Sequence, residues 1–188
     1  VAPHRERSTA GHSLTLHKPL RIYKMEENFF ATSGTPADCI YLGTREVLKD
    51  RPELILSGIN NGANLGTDVH YSGTVAAARE GALMNIKSYA FSLVYFSQDD
   101  ADGVAPAMRF EMASEVAAEV LRKTLSVPFP PHTLLNVNIP NIDPDKIKGI
   151  RMTRQGFRRY SELVNKNVDP RGKEYYWIGG AYVGFDEG

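Results

Sequence analysis

Asn60, Asn61 and Asn64 lie among glycines in the segment Ser57-Gly58-Ile59-Asn60-Asn61-Gly62-Ala63-Asn64-Leu65-Gly66. Amide side chains bring carbonyl oxygens and N–H donors without adding charge, and glycines let the backbone approach a ligand closely. Such a loop suits a metal ion and an oxyanion together. Just downstream, Ser72-Gly73-Thr74 precedes Val75-Ala76-Ala77-Ala78-Arg79-Glu80, a composition that favours helix. Hydroxyls and free backbone N–H groups at a helix start can surround a phosphate at the positive end of the helix dipole. The same three residues also read as a plain N-cap with a tight turn, since serine and threonine caps are common. The asparagine-rich loop ahead of them shifts the balance toward phosphate.

Other polar clusters carry less. The loop His4-Arg5-Glu6-Arg7-Ser8-Thr9-Ala10-Gly11-His12-Ser13 is dense in polar groups, but His4, His12 and His17 follow no zinc-ligand spacing and read as solvated loop histidines. Asp99-Asp100-Ala101-Asp102-Gly103 lacks the later glutamate of a calcium loop and reads as an exposed turn. Arg151 to Tyr160, with Phe157, Arg158 and Arg159, could stack on and pair with RNA, or could hold subunits together.

The elements that must position these groups alternate between strand and helix. Short strands are expected at Ser13–Leu16, Leu20–Tyr23 and Phe29–Thr32, and Val1-Ala2-Pro3 reads as the end of a buried strand. Thr35-Pro36 opens a helix whose buried face carries Ile40, Leu42, Val47 and Leu48 and which should stop near Asp50-Arg51-Pro52. Leu54-Ile55-Leu56 reads as a fully buried parallel strand followed by a loop from Ser57 to Ser72. A helix from Gly73, a strand over Ser88–Tyr95, a helix carrying Ala113, Val116, Ala117, Val120 and Leu121, and a strand over Leu134–Ile139 complete the alternation. The expected fold is Rossmann-like three-layer α/β/α with a mostly parallel sheet over residues 1–148. Residues 149–188, with Pro170 and Gly172 between β-like segments, read as a projecting β-hairpin-like arm suited to oligomer contact. In open sheets of this class ligands bind beyond the carboxyl ends of the strands, where the loop from Ser57 falls.

Bulk properties narrow the function. Residues are 42% hydrophobic and 23% charged, which suits a folded globular chain. Twenty-two Lys and Arg balance 22 Asp and Glu, so no general field favours a nucleic acid polymer or an anionic membrane. Cys39 is the single cysteine, so it forms no internal disulfide, and no apolar stretch is long enough to span a bilayer. A cytoplasmic location is expected.

Four segments in this order resemble the SurE survival protein family: Val1-Ala2-Pro3 through Arg7-Ser8-Thr9-Ala10-Gly11-His12-Ser13-Leu14-Thr15-Leu16, Gly34-Thr35-Pro36-Ala37-Asp38-Cys39, the segment from Ser57 to Gly66, and Tyr71-Ser72-Gly73-Thr74-Val75-Ala76-Ala77-Ala78. The resemblance covers nearly the whole chain and is strongest from Val1 to Leu93. It implies a phosphatase acting on nucleoside 5′- and 3′-monophosphates, sometimes on short polyphosphate, with a divalent ion, Mg or Mn. By that resemblance Ser8 and Asn60 are metal ligands, and Asn64, Ser72, Gly73 and Thr74 receive the phosphate. It also implies a homodimer or homotetramer. The family's Asn-Asp-Asp-Gly motif has no counterpart here, so a strand and helix of roughly 30 residues carrying the acidic pair are expected before Val1, about the size of a βαβ opening, and closing residues are expected after Gly188. A nucleotide- or phosphate-binding protein without catalysis is the second reading, and it applies if that motif is truly absent.

Overall fold

A computed structural model describes residues 1–6, 11–95 and 107–186 of the chain. Ser8 and the Asp99-Asp100-Ala101-Asp102-Gly103 cluster lie outside the described residues. The chain divides into two compact units, Val1–Asn64 with Val69–Ile150, and Leu65–Asp68 with Arg151–Gly188.

The first unit runs β1 (Ala2–Pro3), β2 (Ile22–Glu26), β3 (Phe29–Thr32), α1 (Pro36–Leu42), β4 (Leu54–Asn61), α2 (Gly73–Leu83), β5 (Lys87–Val94), α3 (Phe110–Thr124) and β6 (Leu134–Pro140). β1 pairs in parallel with β3, which pairs antiparallel with β2. β5 lies between β4 and β6, parallel to both. Successive strand residues point to opposite faces, and β5 shows what that alternation does. Tyr89, Phe91 and Leu93 pack with Met112, Ala113, Ala117 and Val120 of α3. Ala90, between them in sequence, packs with Val75 and Ala78 of α2. The two helices therefore cover opposite faces, and the unit is a three-layer α/β/α structure with a Rossmann-like parallel sheet.

The α2 face is built for close approach. Ser88, Ala90 and Ser92 on β5 are small, and Ala76, Ala77, Ala78 and Ala82 on α2 are small and buried. At Gly81 an added Cβ would lie 2.4 Å from Ile55 Cδ1 and 2.5 Å from Ser88 Oγ. Alanine is the better helix former by about 1 kcal/mol, so packing overrides propensity at this position.

Several expected elements differ. Ser13–Leu16 forms no strand, because its polar groups turn to side-chain partners: the amide and hydroxyl of Thr15 donate to Asp38 Oδ1 and Oδ2, and Thr35 Oγ1 donates to Ser13 O. β1 is exposed at Ala2 and only half-buried at Pro3 rather than buried. The helix from Thr35 is capped as expected, with Thr35 and Asp38 in a reciprocal capping box, but it loosens after Leu42 into a π-helical turn over Gly43–Val47. β4 lies at the edge of its sheet, so Leu56 is half exposed, and β5 is the strand buried on both faces. β4 also continues through Asn61, well into the segment expected to be loop.

The second unit contains β7 (Phe157–Tyr160), β8 (Leu163–Val168), β9 (Glu174–Gly179) and β10 (Tyr182–Asp186). β7 pairs antiparallel with β10, and β8 with β9. Arg158 is taken up within this unit: it donates to Asp68 Oδ2 at 2.5 Å and lies over the rings of Tyr160 and Tyr182. The Tyr160 hydroxyl donates to the same carboxylate oxygen at 2.7 Å. Burial and that hydrogen bond push the Tyr160 phenol up to about 12.

Candidate functional site

A register shift in β4 aims the central residue. Ser57 pairs with Ala90, yet Asn60 pairs with Ser92, so three steps along β4 match two along β5. One extra residue enters β4 there, the signature of a β-bulge. Without it Asn60 would fall opposite Leu93, on the face that meets α3. With it Asn60 shares a face with Ser92 and looks toward α2, because a one-residue slip exchanges the two faces of a strand. Gly58 makes this fit: its φ is +119°, and a Cβ there would lie 2.3 Å from the carbonyl oxygen of Phe91.

The consequence is a direct contact between the asparagine segment and the start of α2. Thr74 Oγ1 donates to Asn60 Oδ1 at 3.3 Å, and Asn60 Nδ2 donates to Gly62 O at 2.9 Å. The amide of Gly62, with φ +120°, donates to Leu93 O at the carboxyl end of β5. Ser72 is the N-cap, its Oγ accepting from the Val75 amide at 3.1 Å. The amides of Gly73 and Thr74 have no intrahelical acceptor, as at any helix start, and the positive end of the dipole lies beside them. The N-cap and phosphate readings are therefore compatible. Ser72 Oγ uses an oxygen lone pair in capping and keeps its O–H to give, and all three residues of Ser72-Gly73-Thr74 are half-buried.

Asn64 occupies a different environment. It is buried, its Nδ2 donates to Ser92 Oγ at 2.6 Å, and its backbone oxygen accepts from Asn136 Nδ2 and Asn138 Nδ2 at 2.8 and 3.0 Å. Its amide nitrogen donates to Asn138 Oδ1 at 2.9 Å. These bonds fix the loop at the carboxyl end of the sheet. The structure thus joins Asn60 to Thr74, which follows Ser72 and Gly73 in the chain, while Asn64 meets Ser92, the β5 partner of Asn60, and Ser8 lies outside the described residues.

Residues that the sequence did not reveal complete the frame. Asn136 and Asn138 alternate on β6 and hold Asn64. Asp38 is buried and accepts from the Thr15 hydroxyl and amide and from the Thr35 amide. Burial opposes its ionisation, but the hydrogen bonds from Thr15 and Thr35 outweigh it and hold its pKa below the ordinary value. His12 is not a solvated loop residue: it is half-buried and its Nε2 lies 2.8 Å from Oε2 of the buried Glu80. Glu80 itself was the available signal, a lone carboxylate amid alanines in a stretch that packs on the sheet. His4 and His17 are exposed, as expected.

For a cation, the donor type at Asn60 is a hard neutral oxygen, which matches Mg or Mn rather than a thiophilic metal. Among the described residues no group of three or more His, Cys, Asp or Glu is placed to hold a metal ion. Asn60 is therefore one member of such a set and not a set by itself.

Fold and site define a Rossmann-like α/β protein whose amide and hydroxyl groups converge where a parallel sheet ends and a helix begins. The sequence matches the family described as Survival protein SurE over residues 1–162. It is 49% identical to the protein named 5′-nucleotidase SurE of Synechococcus elongatus, over 97% of this chain and 69% of that one. It is 51% identical to the protein of the same name from Myxococcus xanthus, over 96% of this chain and 65% of that one. The crystal structure of the Sure protein from Aquifex aeolicus superposes with a TM-score of 0.76 at 45% identity, over 95% of this chain and 69% of that one. This chain belongs to the SurE family.

Proposed function

We propose that the chain is a divalent-metal-dependent phosphomonoesterase that hydrolyses nucleoside 5′- and 3′-monophosphates to nucleoside and phosphate, with short polyphosphate as a further substrate. The observation that carries this reading is the Thr74–Asn60 hydrogen bond, which joins the asparagine segment to the start of α2. Relatives named 5′-nucleotidase at about half identity support the reaction class.

The amides of Gly73 and Thr74 and the hydroxyl of Ser72 are the phosphate receivers, bound to the equatorial oxygens and opposing the charge that grows on them. Asn64 holds the loop that borders them. Ser8 and Asn60 would supply two of the oxygen ligands to a Mg or Mn ion. When bound, such an ion polarises a phosphoryl oxygen and lowers the pKa of water. The donors proposed as receivers, the Gly73 and Thr74 amides and the Ser72 hydroxyl, address phosphate rather than ribose, which supports tolerance for where the ester joins the sugar. Incubating the full-length protein with AMP or GMP and Mn2+ should release phosphate, and a chelator should abolish release; release indifferent to chelator contradicts this chemistry.

The arm is proposed to join copies of the chain into a homodimer or homotetramer. Its β8–β9 ribbon exposes Ile178 and its cross-strand partner Val164 side by side, 92% and 59% exposed, and large exposed apolar residues that cluster mark association surfaces. Light scattering on Ile178→Ser should show a smaller assembly than the unmodified protein; an unchanged mass removes the arm from this role. A cytoplasmic location is proposed on the single buried cysteine. Among the described residues no helix is long and apolar enough to cross a membrane.

A further inference from the structure

Three strands present a polar row at the carboxyl end of their sheet. Asn60 of β4 pairs with Ser92 of β5, and Ser92 pairs with Asn138 of β6. Partners in register point to the same face, here the face that meets α2. β4 ends at Asn61, so Asn64 lies beyond the ladder, yet it is buried and its backbone groups need partners. Asn138 takes both of them: its Oδ1 accepts from the Asn64 amide at 2.9 Å, and its Nδ2 donates to Asn64 O at 3.0 Å. One carboxamide thus stands where a neighbouring strand would. Asn136, two residues earlier on the same face, donates to the same carbonyl at 2.8 Å, and Ser92 Oγ accepts from Asn64 Nδ2 at 2.6 Å. At the other end of the row Asn60 Oδ1 accepts from Thr74 Oγ1. The row therefore carries the loop at Asn64 on two of its members and the start of α2 on the third.

We propose that Asn138 is a positioning residue for phosphate, whose two-point hold on Asn64 fixes the loop after β4 and so sets that loop against the turn at Ser72, Gly73 and Thr74. This rests on the reading of those three residues as the phosphate receivers. Ser72 follows Asn64 by only eight positions, so a shift at Asn64 has little chain in which to dissipate before the turn. A loop held by side chains is released without unpairing a strand, and that makes the contribution of Asn138 to ligand placement separable from its contribution to the fold. Sites held by rigid supporting contacts lose affinity when the support goes, even though the groups that touch the ligand remain.

The test uses the full-length protein and the variants Asn138→Ala, Asn136→Ala and Lys87→Met. Lys87 Nζ donates to Thr124 O, Leu125 O and Val127 O at the opposite end of β5 from Ser92, so Lys87→Met is a destabilised reference with the loop intact. Inorganic phosphate is titrated by calorimetry with chelator present, so that no metal enters the result. The thermal midpoint, and kcat and KM for AMP in Mn2+, are recorded beside it. Asn138→Ala should weaken phosphate binding about tenfold, the size of one hydrogen bond to an anion, and raise KM by a similar factor with kcat within about threefold. Asn136→Ala leaves Asn138 in place and should weaken phosphate binding about twofold. Lys87→Met should lower the midpoint and leave phosphate binding unchanged. Unchanged phosphate affinity in folded Asn138→Ala overturns the proposal, and so does an equal loss in Lys87→Met or an unmodified protein that binds no phosphate. Should Asn138→Ala fail to fold, Asn136→Ala decides, and unchanged affinity there overturns the proposal. An unmodified protein that binds phosphate but releases none from AMP sinks the nucleotidase reading instead, and the calorimetric titrations still decide Asn138.

Discussion

Gly58 in β4 and Gly184 in β10 each accompany one extra residue in a strand, but their surroundings differ. A side chain at Gly58 would strike the backbone oxygen of Phe91 at 2.3 Å, whereas at Gly184 the nearest atom is Nη2 of Arg159 at 3.8 Å. The first bulge lies on edge strand β4 with Gly58 itself exposed, yet it abuts the backbone of the buried strand β5 and turns Asn60 toward α2. The second bends an exposed strand of the arm. A bulge packed against a neighbouring backbone is fixed by that neighbour, while one with open space around it is held by its own backbone.

Gly58→Ala should have the largest effect: a forced shift of buried backbone together with a positive φ costs more than about 3 kcal/mol, readable as a loss of urea midpoint or of soluble protein. A small loss would break the comparison at its root.

Asp38→Asn follows. It replaces a buried acceptor of several hydrogen bonds with an amide and should cost about 2 kcal/mol at neutral pH in chemical denaturation. Because the folded-state pKa of Asp38 lies below its unfolded value, its contribution is full above about pH 4. It fades as the pH falls through the folded value, so the variant should show a flatter acid limb. Gly184→Ala faces positive φ without a clash, and about 1 kcal/mol is expected from the same denaturation series. The smallest effect belongs to Glu174→Gln, which removes the exposed Lys166–Glu174 pair at 2.6 Å and should leave the thermal midpoint where it is. A large loss at Glu174 would show that the arm is more tightly organised than its exposed pairs indicate.

What the sequence disclosed follows the same division. The strand and helix alternation from Leu54 to Ile139 was legible because apolar periodicity reports burial, and the stripe Ala113, Val116, Ala117, Val120 and Leu121 reports the face that meets β5. Ser57 to Gly66 and Ser72 to Thr74 stood out as candidate chemistry because glycine, asparagine and a helix cap occur there in succession. The bulge was not, since pairing register is a property of two strands and Ser92 lies 32 positions beyond Asn60. Asp38 and His12 were hidden for a related reason: their partners, Thr15 and Glu80, are 23 and 68 positions away. Ser13–Leu16 alternates as a strand does, but donors to Asp38 and an acceptor for Thr35 took the backbone out of any ladder.

In the proposed reaction the Gly58 bulge delivers Asn60 to the start of α2 as part of a phosphate-releasing site. Phosphate release from AMP in Mn2+ by full-length Asn60→Ala, beside the unmodified protein and with both thermal midpoints recorded, tests it most directly. Turnover should fall about 100-fold, as for a lost metal-binding group, with a midpoint shifted by no more than about 2 °C, as for one half-buried polar side chain. Undiminished turnover in a folded Asn60→Ala protein contradicts it.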